Sequence, residues 1–526
     1  MSYFPEIKTM ADVPRFHGRE RPDTTALVFG EEHTDYRTFD RHCSQVANGL
    51  NKSGIGKGDR IAWVGKNSAA YFEVLFGGAK AGAVMVPISW RLAPMEIDYI
   101  LKDGDIKAVF VDEEFRSLVA RAPSAASIKI IGLEGGAEFT SWRDAQSDVD
   151  PMTPVKGEDV FIQLYTSGTT GHPKGVQLPH GNFFVIERQR AAAGFPDQEL
   201  FEWNTWGPED VGIITMPCFH ISGTGWGVVG LYAGAKNVVL REFTPEGVLR
   251  GLNDHRGTKI ILVPTAIQML MDHPDCAKAD FSALNYLCYG ASPIPLEILK
   301  RAVQMFQCQF VQMYGLTETT GAVTFLPAHD HEIGGNERMR SAGRAVYGVE
   351  LNILDSEGKP VAPGTIGEIC VRTPTIMAGY WGMPDETAKT IDADGWFHTG
   401  DAGYLDEDGY VFIKDRIKDM IVSGGVNIYP AEIENALYAH EDIAEAAVIG
   451  VPDSKWGESV KAFVVLKPGT DASAEQITAF CRDRIAGYKI PRSVEFMQQL
   501  PRNASGKVLK TELRKPFWEG QERQVG

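Results

Sequence analysis

Tyr165-Thr166-Ser167-Gly168-Thr169-Thr170-Gly171-His172-Pro173-Lys174-Gly175 lies between two apolar, β-like stretches, Val160 to Leu164 and Val176 to Leu178. Four Ser/Thr hydroxyls and a series of unhindered backbone N–H groups in so short a loop can surround a polyanion, and Lys174 adds a full positive charge at its far end. A flexible linker shares this composition but needs neither flanking strands nor an ordered Pro-Lys-Gly ending. The run also departs from the P-loop pattern, because no glycine is followed at the required spacing by Gly-Lys-Ser or Gly-Lys-Thr. It reads as a phosphate cradle of another kind, set between strands.

The same alternation extends outward. From about Asp59, Ile61 to Val64, Ala108 to Val111, Val211 to Met216, Lys259 to Val263, Tyr286 to Tyr289 and Phe310 to Met313 read as buried strands separated by helical patterns. That favours a doubly wound α/β architecture. After about Gly343 the pattern changes to short strands punctuated by Glu357-Gly358, Asp394-Gly395 and Asp408-Gly409, the mark of a β-rich subdomain. Beyond Lys418 a small α+β unit is expected. Pro430 suits the first turn of a helix carrying Ile433 and Leu437, and Ser473 with Gln476 makes a capping box for another. The expected division is 1–417 and 418–526. Residues 187–210, with two tryptophans and several charges, read either as a lid or as a surface excursion.

At 526 residues the chain is too long for one ordinary core. A composition 44% hydrophobic and 23% charged is that of a globular protein. The net charge of -17 argues against a nucleic-acid surface, and any anionic substrate must be met by locally placed cations. Seven scattered cysteines without a C-x-x-C pair read as reduced thiols rather than zinc ligands or a disulfide frame. No signal peptide is visible, and the most apolar stretch, Val74 to Ile88, is too short and too interrupted to span a bilayer. A cytoplasmic protein without an integral membrane segment is expected, with a homodimer left open.

Two motifs mislead. Gly225-Trp226-Gly227-Val228-Val229-Gly230 satisfies G-x-G-x-x-G, but a lone match is weak and Trp226 would crowd a pyrophosphate; close helix packing beside an acyl pocket is the better reading. Gly290-Ala291-Ser292-Pro293-Ile294 starts like a nucleophile elbow but lacks its final glycine, and Pro293 removes an N–H that an oxyanion hole would use.

Four more motifs follow the cradle in order: Met313-Tyr314-Gly315-Leu316-Thr317-Glu318-Thr319, Trp396-Phe397-His398-Thr399-Gly400-Asp401, Asp415-Arg416-Ile417-Lys418-Asp419 and Pro501-Arg502-Asn503-Ala504-Ser505-Gly506-Lys507. With them the chain resembles, over nearly its whole length, the adenylate-forming enzymes: acyl-CoA synthetases, luciferases and peptide-synthetase adenylation domains. The resemblance implies a large N-terminal domain and a small mobile C-terminal domain that turns about Lys418. It implies ATP, Mg²⁺ and coenzyme A as cofactor and co-substrates. Lys507 becomes the catalytic lysine of acyl-adenylate formation, although most lysines are solvated surface groups.

For nucleotide binding, the resemblance points to Thr166, Ser167, Gly168, Thr169, Thr170, Lys174, Gly290, Ala291, Ser292, Tyr314, Gly315, Thr317, Asp401 and Arg416. Asp401 can accept from both ribose hydroxyls and Arg416 can touch ribose or phosphate, whereas an Asp after Thr-Gly is by itself more often a turn residue. Tyr314 would lie beside adenine; by sequence alone it reads as core. Glu318, with Thr166 or a neighbouring hydroxyl, is the expected Mg²⁺ contact, the alternative being a charge at a helix start. Ser423, Gly424 and Gly425 resemble the loop that passes the pantetheine arm.

Peptide-synthetase domains place an Asp after the phenylalanine corresponding to Phe219, where it binds an amine. Here that position is His220, similar to the gating histidine of CoA ligases. Phe219, His220, Gly223, Thr224, Gly290, Tyr314, Gly315 and Thr324 are the candidate acyl-pocket residues, apolar, aromatic or small and without an obvious counter-charge. The expected activity is AMP-forming ligation of a hydrophobic fatty or aryl acid to CoA. Loading of a separate carrier protein and a luciferase-like monooxygenase are the alternatives.

Overall fold

The β-branched runs assemble into two mostly parallel sheets. The computed structural model describes residues 3–133, 137–166, 173–196, 198–424, 426–482, 484–502 and 507–519. Among them, a nine-stranded sheet runs Arg344–Ala345, Gly321–Leu326, Gln309–Leu316, Tyr286–Gly290, Lys259–Leu262, Val211–Ile214, Lys236–Val239, Thr25–Phe29, Glu32–Asp35, parallel except at its two ends. A seven-stranded sheet runs Gly379–Tyr380, Lys174–Pro179, Val160–Thr166, Val84–Ile88, Arg60–Val64, Ile106–Val111, Lys129–Gly132, and its last five strands are parallel. Strands such as Arg60–Val64 are buried at every residue because helices cover both faces, which is why they read as continuous apolar runs.

Helices Ala69–Ala81 and Ile221–Ala233 pack in the interior and are correspondingly apolar almost all round. They touch at Gly227, where a side chain would collide with the Phe72 ring. The G-x-G-x-x-G run thus lies inside a helix and serves packing, not a dinucleotide. The polar exception is Lys80, wholly buried in the first helix and paired with Asp40 at 2.5 Å, Asp150 at 2.7 Å and the Ser44 hydroxyl at 2.9 Å.

Residues 187–210 are no surface excursion. The helix Val185–Ala192 and the 3₁₀ turn Gln198–Asn204 bury Leu200, Phe201, Trp203 and then Trp206 in the main core. A buried pair, Glu187 with Arg190 at 3.1 Å, fixes them, and the Arg190 guanidinium lies 3.6 Å from the Phe201 ring centre.

The β-rich part is a four-stranded antiparallel sheet, Glu350–Leu354, Gly367–Arg372, Phe397–Leu405, Val411–Arg416, whose turns put Gly358, Gly395 and Gly409 in the left-handed region. A further five-stranded sheet follows, with the helix Pro430–Tyr438 burying Ile433 and Leu437 as expected. Both capping-box bonds between Ser473 and Gln476 are present. Among the described residues the apolar clusters divide: those of the body reach Val411 and Ile413, and those of the small unit begin at Ile421. All seven cysteines are free thiols, and among the described residues no helix is long and apolar enough to cross a membrane.

Candidate active site

The candidate residues converge at the carboxyl ends of the parallel strands, where an α/β crevice opens. One sheet contributes Gly290 at the end of Tyr286–Gly290 and Tyr314 with Gly315 near the end of Gln309–Leu316; the other contributes Thr166, paired in register with Lys174 across the hairpin. Glycine permits the closeness: a side chain at Gly290 would strike the Met313 carbonyl, and one at Gly315 the Gly321 carbonyl. Ala291 follows with φ +66°, a strained conformation for a residue with a side chain, and Ser292 is half-buried beside it.

Asp401 and Arg416 are cross-strand partners in the four-stranded sheet. The Asp401 carboxylate, 4% exposed, accepts from the Tyr314 hydroxyl at 2.7 Å and pairs with Arg416 Nε at 2.7 Å. Burial pushes its pKa up, while Arg416, Tyr314 and Lys507 pull it back. Each oxygen keeps a lone pair, enough for two vicinal hydroxyls. Glu368 supports this strand from behind: one oxygen accepts from the Gly400 N–H at 3.0 Å and the other lies 2.9 Å from His398 Nδ1.

Thr317 opens the short turn that carries Glu318, and the Tyr380 hydroxyl donates to Glu318 at 3.1 Å. Lys174 lies 2.7 Å from Glu386 and 5.0 Å from the Tyr380 ring centre. Tyr380 and Glu386 escape sequence reasoning because each acts on a group far away along the chain and neither belongs to a motif.

Lys507 completes the cleft from the small unit. It keeps solvent-accessible surface, yet desolvation and Arg416 push its pKa down while Asp401 and Glu318 pull it up. Its charge also reaches His220. The combination describes an ammonium in an open but protein-walled cleft, where a chain of net charge -17 has brought Lys507 near Arg416.

His220 caps the interior helix Ile221–Ala233, its ring 4.7 Å from that of Phe219, and its Nε2 is buried without a hydrogen-bond partner among the described residues. Burial, with help from Lys507 and Arg91, pushes its pKa down to about 4, so it is neutral at physiological pH. Gly223 lets this helix abut the Met216 and Pro217 carbonyls. Thr224 and Thr324 are fully buried: the Thr224 hydroxyl bonds the Cys218 carbonyl at 2.6 Å and Tyr71 at 2.5 Å, and that of Thr324 the Ala342 carbonyl at 2.6 Å. Contrary to their reading as lining residues, both hydroxyls serve the wall's own packing. Beyond them Trp226 carries Trp203 stacked at 6.0 Å and Trp206 edge-on at 5.2 Å, and Phe325 closes the cluster 5.2 Å from Trp203.

Lys418 lies in the 3₁₀ turn Ile417–Asp419 between the two units. Just after it, Gly424 (φ +59°) packs so closely on Trp456 that a side chain would stand 2.8 Å from the indole, and its N–H donates to the Trp456 carbonyl at 2.8 Å. Ser423 pairs with Gly457. Ser167, Gly168, Thr169, Thr170 and Gly425 lie outside the described residues.

Residues 15–381 match the AMP-binding enzyme family, and residues 432–507 match the AMP-binding enzyme C-terminal domain, a match that ends on Lys507. The chain belongs to the adenylate-forming AMP-binding enzymes. It is 41% identical to the fatty acid--[acyl-carrier-protein] ligase ScoC of Streptomyces coeruleorubidus, over 99% of each chain. It is 37% identical to a feruloyl-CoA synthase of Amycolatopsis sp, over 96% of this chain and 98% of that one. MatB of Rhodopseudomonas palustris, 30% identical, superposes with a TM-score of 0.86 in its ATP-bound form and 0.76 in its apo form, each over 97% of this chain and 99% of MatB. The arrangement of this AMP-binding enzyme is therefore nearer to the ATP-bound form of that relative than to its apo form.

Proposed function

We propose that this enzyme is an ATP-dependent, AMP-forming carboxylic acid:CoA ligase that works through an acyl-adenylate. The observation that carries the reading is the meeting of Lys507 with Asp401, Arg416, Glu318 and His220 in one cleft. An acid cannot be condensed with a thiol in water without a leaving group, and an adenylate supplies it. A carboxylate oxygen attacks the α-phosphorus of ATP in line, the bond to the β-phosphate breaks, and pyrophosphate leaves. No protein nucleophile is required; positioning and charge stabilisation suffice. Asp401 and Arg416 fix the ribose, Tyr314 lies against the base, and Lys507 neutralises the charge gathering between the acyl carboxylate and the α-phosphate.

Glu318 offers a single carboxylate with one oxygen already satisfied by Tyr380, a donor set suited to Mg²⁺, which takes few protein ligands and fills its shell with phosphate and water. Glu318 with Thr166 would hold the ion, whose charge would offset that of the polyphosphate.

In the second step the thiol sulfur bonds to the acyl carbon, its proton is lost, and AMP departs. For this the small unit turns about Lys418, withdrawing Lys507 and bringing Ser423, Gly424 and Gly425 to the pantetheine arm. His220, neutral and packed against Phe219, gates that path. The acid is hydrophobic, fatty or aryl, since Phe219, Gly223 and the other small or apolar candidate pocket residues bring no counter-charge. The cytoplasm, where ATP, CoA and reduced thiols coexist, is the setting.

Lys507→Ala is expected to lower acid-dependent ATP–pyrophosphate exchange by about 10²-fold or more, while thioester formation from supplied acyl-adenylate persists. Equal loss of both half-reactions rejects the division of labour. A carrier-protein acceptor is the second reading, favoured by the 41% identical ScoC. Comparing kcat/KM for CoA and for a phosphopantetheinylated carrier protein separates the two.

A further inference from the structure

Lys174 already has an anion. Its side chain is only 8% exposed, and its ammonium lies 2.7 Å from Glu386 Oε2. Glu386 belongs to the helix Pro384–Thr390, outside the cradle and between the two family-matched segments, and its other oxygen accepts from Lys389 at 2.9 Å. The two lysines pull the Glu386 carboxyl down to about 2, so it is ionised at neutral pH. Lys174 follows the threonine-rich loop in sequence and pairs in register with Thr166, so a polyphosphate held by that loop would come within reach of its ammonium.

A lysine so little hydrated needs a partner in every state of the cycle. With polyphosphate in the cradle, phosphate can serve. With the cradle vacated, Glu386 serves.

We propose that Glu386 is a place-holder anion for Lys174: polyphosphate displaces its carboxylate on binding, and the carboxylate recaptures the ammonium as pyrophosphate leaves. The proposal rests on reading the threonine-rich loop as the ATP cradle. Lys389 makes the exchange workable, since Glu386 keeps one cation when Lys174 turns to phosphate, so neither partner is stranded. The consequence is selective. ATP and pyrophosphate must compete with the carboxylate, whereas AMP, which lacks the outer phosphates, need not. Glu386 would thus weaken the hold on pyrophosphate and hasten its departure after adenylation. A purely structural clasp between the strand and the helix would stabilise the fold without this selectivity.

The test is calorimetric titration of the full chain with inorganic pyrophosphate, ATP and AMP in the presence of Mg²⁺. Glu386→Gln, which keeps the shape and removes the charge, is expected to tighten pyrophosphate and ATP binding by about 2- to 5-fold, the range of one partly shielded ion pair, and to leave AMP unchanged. Lys389→Met, which leaves Lys174 as the main partner of Glu386, is expected to weaken pyrophosphate binding by about 2-fold. Pyrophosphate affinity that is unchanged or weaker in Glu386→Gln overturns the proposal. Should that variant fail to fold, unchanged or tighter pyrophosphate binding in Lys389→Met overturns it equally. Neither measurement uses acid or thiol, so an error in the ligase reading would leave these outcomes intact.

Discussion

The body and the C-terminal unit of this enzyme are built alike inside but joined by different chemistry. Within the body, apolar clusters run from layer to layer and enclose even the charged Lys80; the small unit repeats the pattern on its own scale around Ile421, Ile433, Val448 and Ala462. Between them the described contacts are polar. Asp415, the residue before Arg416, accepts from the Ala431 N–H at the start of the helix Pro430–Tyr438 at 2.9 Å, and Lys510 stands 3.8 Å from the same oxygen. Separating apolar faces exposes surface to water, whereas polar groups can trade one partner for another or for solvent. A junction of this kind can open and re-form, as the proposed withdrawal of Lys507 from the cleft requires.

The sharpest way to separate the two parts is acid. Four histidines, His17, His180, His220 and His331, are pushed down to about 4 by burial, and all four belong to the body. Unfolding restores their ordinary affinity for protons near pH 6.5. The unfolded chain then binds more protons than the folded one, so stability falls as pH drops from 6.5 toward 4. Each histidine contributes about 3 kcal/mol to that loss at pH 4. Calorimetry between pH 7 and 4 is expected to move the unfolding of the body steeply downward and that of the small unit much less. Two transitions that move in parallel would show that the units do not unfold separately.

A smaller effect is expected from the buried cation of the body. Lys80→Ala leaves Asp40 facing an emptied site, while Asp150 keeps Arg15 at 2.8 Å. Breaking such a buried pair costs about 3–5 kcal/mol, read as a shift in the urea midpoint. ATP binding by the surviving folded fraction should persist, because Lys80 is not among the groups that gather in the cleft. A loss below about 1 kcal/mol would place this cluster with surface ion pairs.

Which of these features the sequence discloses follows from how local their causes are. The strands around Ile61, Val109, Ile260 and Leu287 are visible because burial on both faces selects apolar, β-branched runs. The turns at Gly358, Gly395 and Gly409 are visible because a left-handed residue selects glycine. Tyr314 reads as core, and its hydroxyl becomes meaningful only with Asp401, 87 positions later, in reach. Glu386 and Tyr380 are silent for the same reason: their partners Lys174 and Glu318 arrive through sheet topology, by the pairing of Gly379–Tyr380 with Lys174–Pro179. Trp203 and Trp206 mislead in the other direction, since charged neighbours give a surface appearance to a segment whose aromatic rings pack against Trp226. Thr224 and Thr324 follow the expected motif positions, but their hydroxyls are consumed by neighbouring carbonyls.

The smallest effect is the one that tests the junction most directly. Lys510 is held between Glu434 at 2.8 Å and Asp415, and Asp419 pairs with Arg514 at 2.6 Å, so the charges of the small unit are largely satisfied within it. Asp415 approaches Lys510 from the other side of Lys418. Asp415→Asn keeps an oxygen for the Ala431 N–H and removes the attraction to Lys510, leaving both cores intact. If that attraction favours the arrangement with Lys507 in the cleft, its loss should slow ATP–pyrophosphate exchange by about 2- to 5-fold, the range of one partly exposed ion pair, with no comparable loss in thioester formation from supplied acyl-adenylate. The thermal midpoints of both units should hardly move, because no apolar contact is altered. Equal slowing of both half-reactions would mean that Asp415 supports the hinge strand itself, and the division between a packed interior and an exchangeable junction would then have to be drawn elsewhere.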